Sequence, residues 1–293
     1  MMQLPLCRQI PRSSPASMLL PVRPLASLEP AGERAADLRA NLSEIRDRVK
    51  QAHKSAEASI PSSREPTLVA VSKYKPASDI MGCYQDGQRD FGENYVQELV
   101  DKAAQLPQDL RWHFIGTLQS NKAKTLANIS NLYSIHTLTS QKTAASLNKY
   151  LPESRTDPLN VFIQVNTSGE DNKSGLSPSL SDPSELLDLA KHVVASCPRL
   201  RLLGLMTIGS LAESLHAKEA RENRDFEVLV KVQGELEERL KSGAAEGGKW
   251  GDEDGRLVLS MGMSADFEAA IRAGSGMVRV GSSIFGERRK KGQ

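Results

Sequence analysis

The stretch LVAVSK at residues 68–73 is a short apolar run that ends on a serine and a lysine. Apolar runs of this length, bounded by polar or turn residues, are typical of strands buried in a parallel sheet. Seven more such runs follow, separated by segments with helical spacing of their apolar residues. The eight predicted strands are Leu68–Ser72, Arg89–Phe91, Trp112–Ile115, Leu132–His136, Val161–Val165, Leu202–Met206, Leu257–Ser260 and Met277–Val280. Strands that alternate with helices predict an α/β fold, and eight such units predict a single closed (β/α)8 barrel, the TIM barrel.

The segments outside these strands predict helices and two inserted loops. A helical pattern begins at Asp37 and places Leu38, Leu42, Ile45 and Val49 on one face. Further helices are predicted at Tyr95–Leu106, Ser184–Val194, Phe226–Leu240 and Ala265–Ala273. Leu211–Asp225 is charged and aperiodic, and Lys241–Arg256 is rich in glycine, alanine and acidic residues. We expect both to be inserted, with the second forming a solvated loop.

The charge of the chain is unevenly distributed. Its net charge is +2, but residues 1–28 contribute +3 and residues 288–291 contribute +4, which leaves −5 for the rest. A net acidic body predicts no nucleic-acid partner. No apolar run approaches the roughly 18 residues of a membrane span, which predicts no membrane partner. The three cysteines are far apart and favour a reducing compartment.

Composition also divides the chain into a body and two ends. Residues 1–30 contain six prolines and a single acid, and they are predicted to be a disordered tail or an organelle transit peptide. We expect residues 31–288 to form the barrel and residues 289–293 to be a basic tail. The predicted location is cytoplasmic, or mitochondrial (or another organelle) if the N-terminal extension is a targeting segment.

Candidate reactive residues lie where the predicted strands end, because the active sites of parallel barrels are built there. Lys73 directly follows the first strand. Partial burial would increase the neutral, nucleophilic fraction of its amine, which Schiff-base formation requires. The alternative is an ordinary strand-end lysine that reaches solvent.

The loops after the seventh and eighth strands predict an anion site, since barrels commonly hold phosphate there. Ser264 is predicted to cap the helix Ala265–Ala273, which would present backbone N–H groups and a hydroxyl to an anion. Gly281 permits close backbone approach and Ser282 offers another donor. Both loops have an alternative role as simple tight turns.

Arg279, inside the eighth strand, is a donor that does not titrate near neutral pH. It would donate a hydrogen bond to an aromatic nitrogen and keep that nitrogen unprotonated. A structural ion pair with Asp90 or Glu93 is the alternative. A lysine, an anion site and this arginine around one opening indicate a ligand with an aldehyde, a phosphate and a heteroaromatic nitrogen, which describes pyridoxal 5′-phosphate (PLP).

Other residues at strand ends have less defined roles. Asn94 either binds the ligand or caps the next helix, and His113 is either a buried, hydrogen-bonded histidine or an acid/base group. The five histidines have no metal-ligand spacing, and no P-loop or dinucleotide-binding glycine loop is present. We therefore expect no metal.

The chain resembles the pyridoxal phosphate homeostasis protein family over about residues 35–288. The matching segments are LVAVSK (68–73), FGENYVQE (91–98), WHFIG (112–116), GLMTIG (204–209), LSMGMSADF (259–267) and VRVGSSIFG (278–286). The resemblance implies a barrel like the N-terminal domain of alanine racemase (fold-type III), with PLP bound to Lys73. It implies phosphate contacts from Ser264, Gly281 and Ser282, a pyridine-nitrogen contact from Arg279, and a place in the pocket for Asn94. Its implied role is PLP carriage or buffering in vitamin B6 balance.

Three functions stay open, and the non-catalytic carrier is favoured. The alternative of a racemase-like PLP enzyme needs a second acid/base, and in racemases of this fold a tyrosine on an additional domain supplies it. Only Tyr95 and His113 are candidates here, and the 14 residues after Arg279 are too few for such a domain. A PLP-regulated interaction protein is the third class. Transient apo-PLP-enzyme clients and a monomer or weak dimer are expected.

Overall fold

Eight parallel strands close into one barrel in chain order, with β8 hydrogen-bonded to β1. The computed structural model describes residues 28–56, 64–170, 173–210, 212–214, 223–242 and 250–287. The strands are β1 (Thr67–Val71), β2 (Asp90–Glu93), β3 (Arg111–Phe114), β4 (Leu132–Leu138), β5 (Leu159–Gln164), β6 (Leu200–Met206), β7 (Val258–Ser260) and β8 (Met277–Val280). The predicted (β/α)8 barrel is therefore confirmed.

Helices lie between the strands and on the outside of the barrel. They are α1 (Gly32–Ala56), α2 (Ala77–Gln85), α3 (Val96–Ala103), α4 (Ala123–Ala127), α5 (Gln141–Tyr150), α6 (Glu185–Ser196), α7 (Arg224–Ser242), α8 (Phe267–Arg272) and α9 (Ser282–Phe285). The predicted tails at 1–30 and 289–293 lie outside the described residues, apart from residues 28–30. Their roles and the cellular location stay predictions.

The second strand begins one residue later and ends two residues later than Arg89–Phe91, because Gly92 and Glu93 continue its pairing with β3. A charged residue can extend this strand because the Glu93 carboxylate meets Lys102 at 2.6 Å. Sequence patterning ended the strand at Phe91 because glycine and glutamate are depleted in strands.

Helix α1 connects the first and last βα units. The predicted apolar face of Leu38, Leu42, Ile45 and Val49 is buried, which confirms the helical pattern. Arg34 donates to both carboxylate oxygens of Asp79 in α2 and to the backbone oxygen of Phe285 in α9. A charge-assisted fork of this kind fixes geometry as well as adding binding energy. It therefore holds α2 and α9 together behind the junction of β1 and β8.

The two predicted insertions are described only in part. Residues 212–214 and 223–225 of Leu211–Asp225 are described, and α7 begins at Arg224 within that range. Of Lys241–Arg256, residues 241–242 end α7, and Trp250 forms an isolated bridge to Leu202 of β6. Within the described residues, no helix is both long and apolar enough to cross a membrane.

Gly204 shows how closely β6 and β7 approach one another, and Gly234 in α7 serves as a control. A Cβ added to Gly204 in β6 would lie 1.8 Å from the backbone oxygen of Val258 in β7, whereas a Cβ on Gly234 in α7 would meet nothing within 4 Å. Gly204→Ala is expected to lower the free energy of unfolding by roughly 3 kcal/mol, because the two strands must move apart. Gly234→Ala should raise it by about 0.5–1 kcal/mol, because alanine favours a helix interior. Urea denaturation measures both, and a shift of the same sign in the two variants would contradict the close approach.

Candidate functional site

A cavity of about 440 Å³ opens at the carboxyl ends of the barrel strands. Its polar lining comes from Lys73, Asn94, Ser264, Arg279, Gly281 and Ser282. Apolar side chains, among them Val71, Ile115 and Met206, complete the wall. All six site residues predicted from the sequence therefore line one cavity, although they are up to 209 positions apart in the chain.

Lys73 lies in the turn that follows β1 and is half-buried. The next residue, Tyr74, has a φ of 63°, in the left-handed region that non-glycine residues enter at a cost of about 1 kcal/mol. Its backbone N–H donates to a carboxylate oxygen of Glu98 at 2.7 Å, which stabilises this conformation. The chain thus turns sharply directly after the lysine.

A buried ionic cluster supports this turn from below. Lys102 of α3 donates to the backbone oxygen of Ser72 at 2.8 Å and to Glu93 at 2.6 Å, and the Ser72 hydroxyl donates to the same Glu93 oxygen. Burial raises the pKa of the Glu93 carboxyl, while Lys102 and Ser72 oppose that rise. Removing one partner from such a buried pair is strongly destabilising, because the other charge is left uncompensated. The cluster therefore fixes the residue that precedes Lys73.

Sequence reasoning missed Lys102, which lies on a helix where lysines are usually solvated. The only local signal is its i,i+4 spacing from Glu98, to which it also donates at 2.7 Å. Its burial depends on Glu93, a strand residue that comes nine positions earlier.

The loops after β7 and β8 meet at the rim of the cavity beside the end of β1. The Ser264 hydroxyl accepts a hydrogen bond from the backbone N–H of Gly281 at 3.3 Å, and the short helix α9 begins at Ser282. A Cβ added to Gly281 would lie 3.2 Å from the backbone oxygen of Val71. Glycine at position 281 therefore lets the end of β8 approach β1 closely.

The prediction that Ser264 caps the following helix is wrong. Helix α8 begins at Phe267 with Asp266 as its N-cap residue, two positions later than predicted. The Asp266 carboxylate accepts from the backbone N–H of Met263 at 2.7 Å and closes the loop on itself. This loop closure turns the Ser264 hydroxyl toward the β8 loop.

Arg279 is buried in the floor of the cavity. Its guanidinium donates to the Ser260 hydroxyl at 2.8 Å and to the backbone oxygen of Thr207 at 2.7 Å. Burial lowers the pKa of Arg279 to about 10, and Asp266 opposes this shift. The side chain is therefore a cation at neutral pH, and its position beside the cavity makes it a fixed donor.

The alternative ion pair of Arg279 with Asp90 or Glu93 is not present. Asp90 accepts from Arg111 and contacts His113, and Glu93 accepts from Lys102. Both carboxylates thus bind other partners.

Asn94 reaches the cavity at the end of β2. Its side-chain oxygen is buried and has no hydrogen-bond partner among the described residues. The N-cap of α3 is Tyr95, so the capping role of Asn94 is wrong. A Cβ on Gly116 would lie 1.8 Å from the Asn94 backbone oxygen, so only glycine permits the β3 loop to pack there. Asn94 therefore presents an unused acceptor at the cavity wall.

Neither candidate for a second acid/base group lines the cavity. His113 is fully buried in the barrel interior and contacts Asp90, so its reading as a satisfied histidine is confirmed. Tyr95 is 46% exposed and its ring packs on Tyr74, with 5.1 Å between centroids. The described residues that line this cavity include an amine and a guanidinium, but no carboxylate, imidazole or phenol. Among all the residues that the structure describes, no group of three or more histidines, cysteines or carboxylates could hold a metal ion.

The sequence matches a family and several relatives over most of its length. The family described as alanine racemase, N-terminal domain, matches residues 35–289. A pyridoxal phosphate homeostasis protein of Schizosaccharomyces pombe is 47% identical over 77% of this chain and 85% of that protein. Proteins of the same name from Homo sapiens and Escherichia coli are 40% and 43% identical, over 88% and 86% of this chain and 90% and 97% of theirs.

Solved structures share the barrel. PipY of Synechococcus elongatus, determined with PLP bound, has a TM-score of 0.62 at 28% identity and covers 85% of this chain and 100% of its own. Alanine racemase of Corynebacterium glutamicum has a TM-score of 0.57 at 15% identity, over 88% of this chain and 62% of that chain. This second likeness concerns the fold alone. From the length and identity of these matches, the chain belongs to the alanine racemase N-terminal domain family and, within it, to the pyridoxal phosphate homeostasis proteins.

Proposed function

We propose that this chain binds PLP in the cavity, holds it as a Schiff base on Lys73, and acts as a carrier or buffer in intracellular PLP homeostasis. The observation that carries the proposal is the grouping of an amine, a set of anion donors and a buried cation around one space. About 440 Å³ lies within the range of small-ligand pockets. The PLP in the PipY structure and the names of the relatives support the same ligand class.

The residues present fit the chemical groups of PLP. Lys73 is half-buried and lines the cavity, and its amine suits the aldehyde. The Ser264 hydroxyl and the backbone at Gly281 and Ser282 suit a phosphate, and a side chain at Gly281 would press on β1. Arg279 suits the ring nitrogen as a donor. The unpartnered Asn94 oxygen is an acceptor and suits a hydrogen-bond donor on the ligand other than the ring nitrogen, such as a hydroxyl.

Bound PLP supplies an aldehyde carbon that exchanges between amines. The protein's own residues limit what else happens there. Arg279, as a donor-only cation, keeps the ring nitrogen unprotonated, which weakens the cofactor as an electron sink. The cavity lining also lacks a second group that titrates near neutrality. Both features favour binding and release over racemisation, the alternative function.

Transfer requires a surface that a client enzyme can contact. Three of the exposed large apolar residues, Tyr74, Tyr95 and Ile208, lie at or beside the rim of the cavity. We propose that apo-PLP enzymes are transient clients that dock on this rim, and that the chain acts as a monomer or weak dimer. The same patch would serve a PLP-regulated interaction protein, which the transfer assay below separates from a carrier.

Covalent trapping tests the role of Lys73. After incubation with PLP and reduction with borohydride, mass spectrometry of the wild-type chain should find one pyridoxyl adduct, on Lys73. Lys73→Ala should lose it, because no other amine is expected to face the bound aldehyde. Lys173→Ala, a matched change in the neighbouring cavity, should keep it. An unmodified wild-type chain would refute the proposed function.

Comparison of PLP with pyridoxal, which lacks the phosphate, tests the anion site. Ser264→Ala is expected to weaken PLP binding about tenfold, the effect of losing one hydrogen bond to a charged group. Pyridoxal binding should stay unchanged. Ser283→Ala removes a hydroxyl from α9, beside the same anion site, without altering the cavity lining and serves as the control. If absorbance titrations of Ser264→Ala show equal losses of affinity for PLP and pyridoxal, the phosphate does not bind at Ser264.

A transfer assay separates carrier from enzyme. The PLP-loaded chain is expected to restore activity to an apo-form PLP-dependent enzyme, and Lys73→Ala should restore no more than its free PLP allows. Chiral analysis of amino acids incubated with the loaded chain should detect no racemisation, because the cavity offers no second base. Sustained racemisation would favour the enzyme. Failure to reactivate any apo-enzyme would favour the interaction protein.

A further inference from the structure

A chain of hydrogen-bonded polar residues runs through the barrel interior beneath the cavity. Arg279 contacts the Ser260 hydroxyl at 2.8 Å, and that hydroxyl contacts Nδ1 of His136 at 3.0 Å. Nε2 of His136 lies 3.2 Å from Nδ1 of His113, whose Nε2 lies 2.9 Å from Asp90. All five side chains are buried. Asp90, at the first position of β2, is at the amino-terminal end of the barrel, opposite the cavity.

The two ends of this hydrogen-bonded chain fix the direction of its two terminal hydrogen bonds. Arginine has only donors and an ionised carboxylate has only acceptors. Ser260 therefore accepts from Arg279, and its own proton is available to Nδ1 of His136. His113 donates from Nε2 to Asp90, which leaves its Nδ1 as an acceptor.

Ser134 completes the link between the two imidazoles. Its hydroxyl lies 2.8 Å from Nε2 of His136 and 2.8 Å from Nδ1 of His113. Nε2–H of His136 donates to this hydroxyl, and the hydroxyl donates to His113. Both histidines are then neutral and every donor in the chain has an acceptor. With the direction reversed, the Ser260 hydroxyl would accept twice and its own proton would have no partner in the chain.

The groups around His136 keep it neutral. Burial, together with the neighbouring His113 and the positive charge of Arg279, lowers its pKa well below the usual histidine value. The ring of Phe162 from β5 stacks on it, with 4.4 Å between centroids. These neighbours come from β3, β5, β7 and β8, and none of them carries a negative charge.

Asp90, at the end of the hydrogen-bonded chain opposite Arg279, is held as an anion. Burial acts to raise the pKa of Asp90, but His113 and Arg111 outweigh it, and the pKa lies below its ordinary value. Arg111 also donates to the carboxylate, at 2.8 Å from its Nε. The ring of Tyr133 packs against His113, with 5.2 Å between centroids. The negative charge is therefore present across the physiological pH range.

We propose that Asp90, His113, Ser134, His136 and Ser260 form a positioning relay that orients the Arg279 guanidinium toward the ring nitrogen of PLP and links it to a distant carboxylate. This inference rests on the proposed PLP binding. A carboxylate in direct contact with Arg279 would occupy the donors that the ligand needs. A neutral relay that ends on a distant carboxylate stabilises the cation, because aligned hydrogen bonds polarise one another. The same relay leaves the cavity-facing donors of Arg279 available to the ligand.

The pH titration of bound PLP, followed by its absorbance, tests the relay. Asp90 does not line the cavity. The substitution Asp90→Asn keeps the shape of this side chain but removes its negative charge. Loss of this negative charge makes the electrostatic potential at the cavity more positive. A more positive potential disfavours protonation of the Schiff base that PLP forms with Lys73. The midpoint of the titration is expected to fall by about half a pH unit. A role of Asp90 in stability alone would lower the melting temperature and leave the midpoint unchanged.

Three further variants separate the relay from packing. His136→Leu breaks the hydrogen bonds and should lower the midpoint in the same direction, whereas His136→Gln can accept from Ser260 and donate to Ser134 and should restore it. Phe162→Leu loosens the same layer of the barrel but keeps the hydrogen bonds, and its midpoint should match the wild type.

The outcomes distinguish the relay from the proposed function. A wild-type chain without a borohydride-trapped adduct refutes PLP binding itself. One adduct per chain in every variant, with an Asp90→Asn midpoint equal to that of the wild type, overturns the relay alone. A Phe162→Leu shift as large as that of His136→Leu overturns it as well. If His136→Leu does not fold, the comparison of Asp90→Asn with the wild type decides the question.

Discussion

The pairing of β8 with β1 is the contact on which the functional site depends. Residues 67–70 pair in register with residues 277–280, and this closes the sheet. Closure brings Lys73, three residues beyond the paired part of β1, next to Gly281 and Arg279 at the end of β8. The clamp of Arg34 on Asp79 and Phe285 holds the same junction from outside. Without this closure, the amine and the anion donors would belong to opposite edges of an open sheet.

The interior of this barrel departs from the layers of branched apolar side chains that fill many TIM barrels. Two histidines, two serines, an aspartate and an arginine are buried there. Burying such groups is costly unless each is hydrogen-bonded, and here each polar group is matched to a neighbour on another strand. The consequence is a cation fixed in the floor of the cavity by hydrogen bonds to Ser260 and to the backbone oxygen of Thr207.

The composition of the cavity wall limits its chemistry. An amine and a buried guanidinium are present, and the neighbouring carboxylates of Glu93 and Glu98 are paired with Lys102 outside the wall. Such a wall can hold an aldehyde and a phosphate, but among its described residues it offers no second proton carrier near neutral pH. This balance of groups supports the proposed carrier role.

The sequence by itself determined the barrel and six residues of the cavity wall, Lys73, Asn94, Ser264, Arg279, Gly281 and Ser282. Strand periodicity and residues at strand ends are local signals, and a parallel barrel gathers its strand ends at one rim. Tertiary structure alone decided the partners of those residues. The Ser264 hydroxyl meets the β8 loop instead of capping α8, Lys102 is buried against β2, and His113 and His136 join Arg279 to Asp90. Each of these contacts links residues on different secondary-structure elements or loops. Their formation depends on barrel closure and on the balance between desolvation and hydrogen bonding, which a linear pattern does not encode.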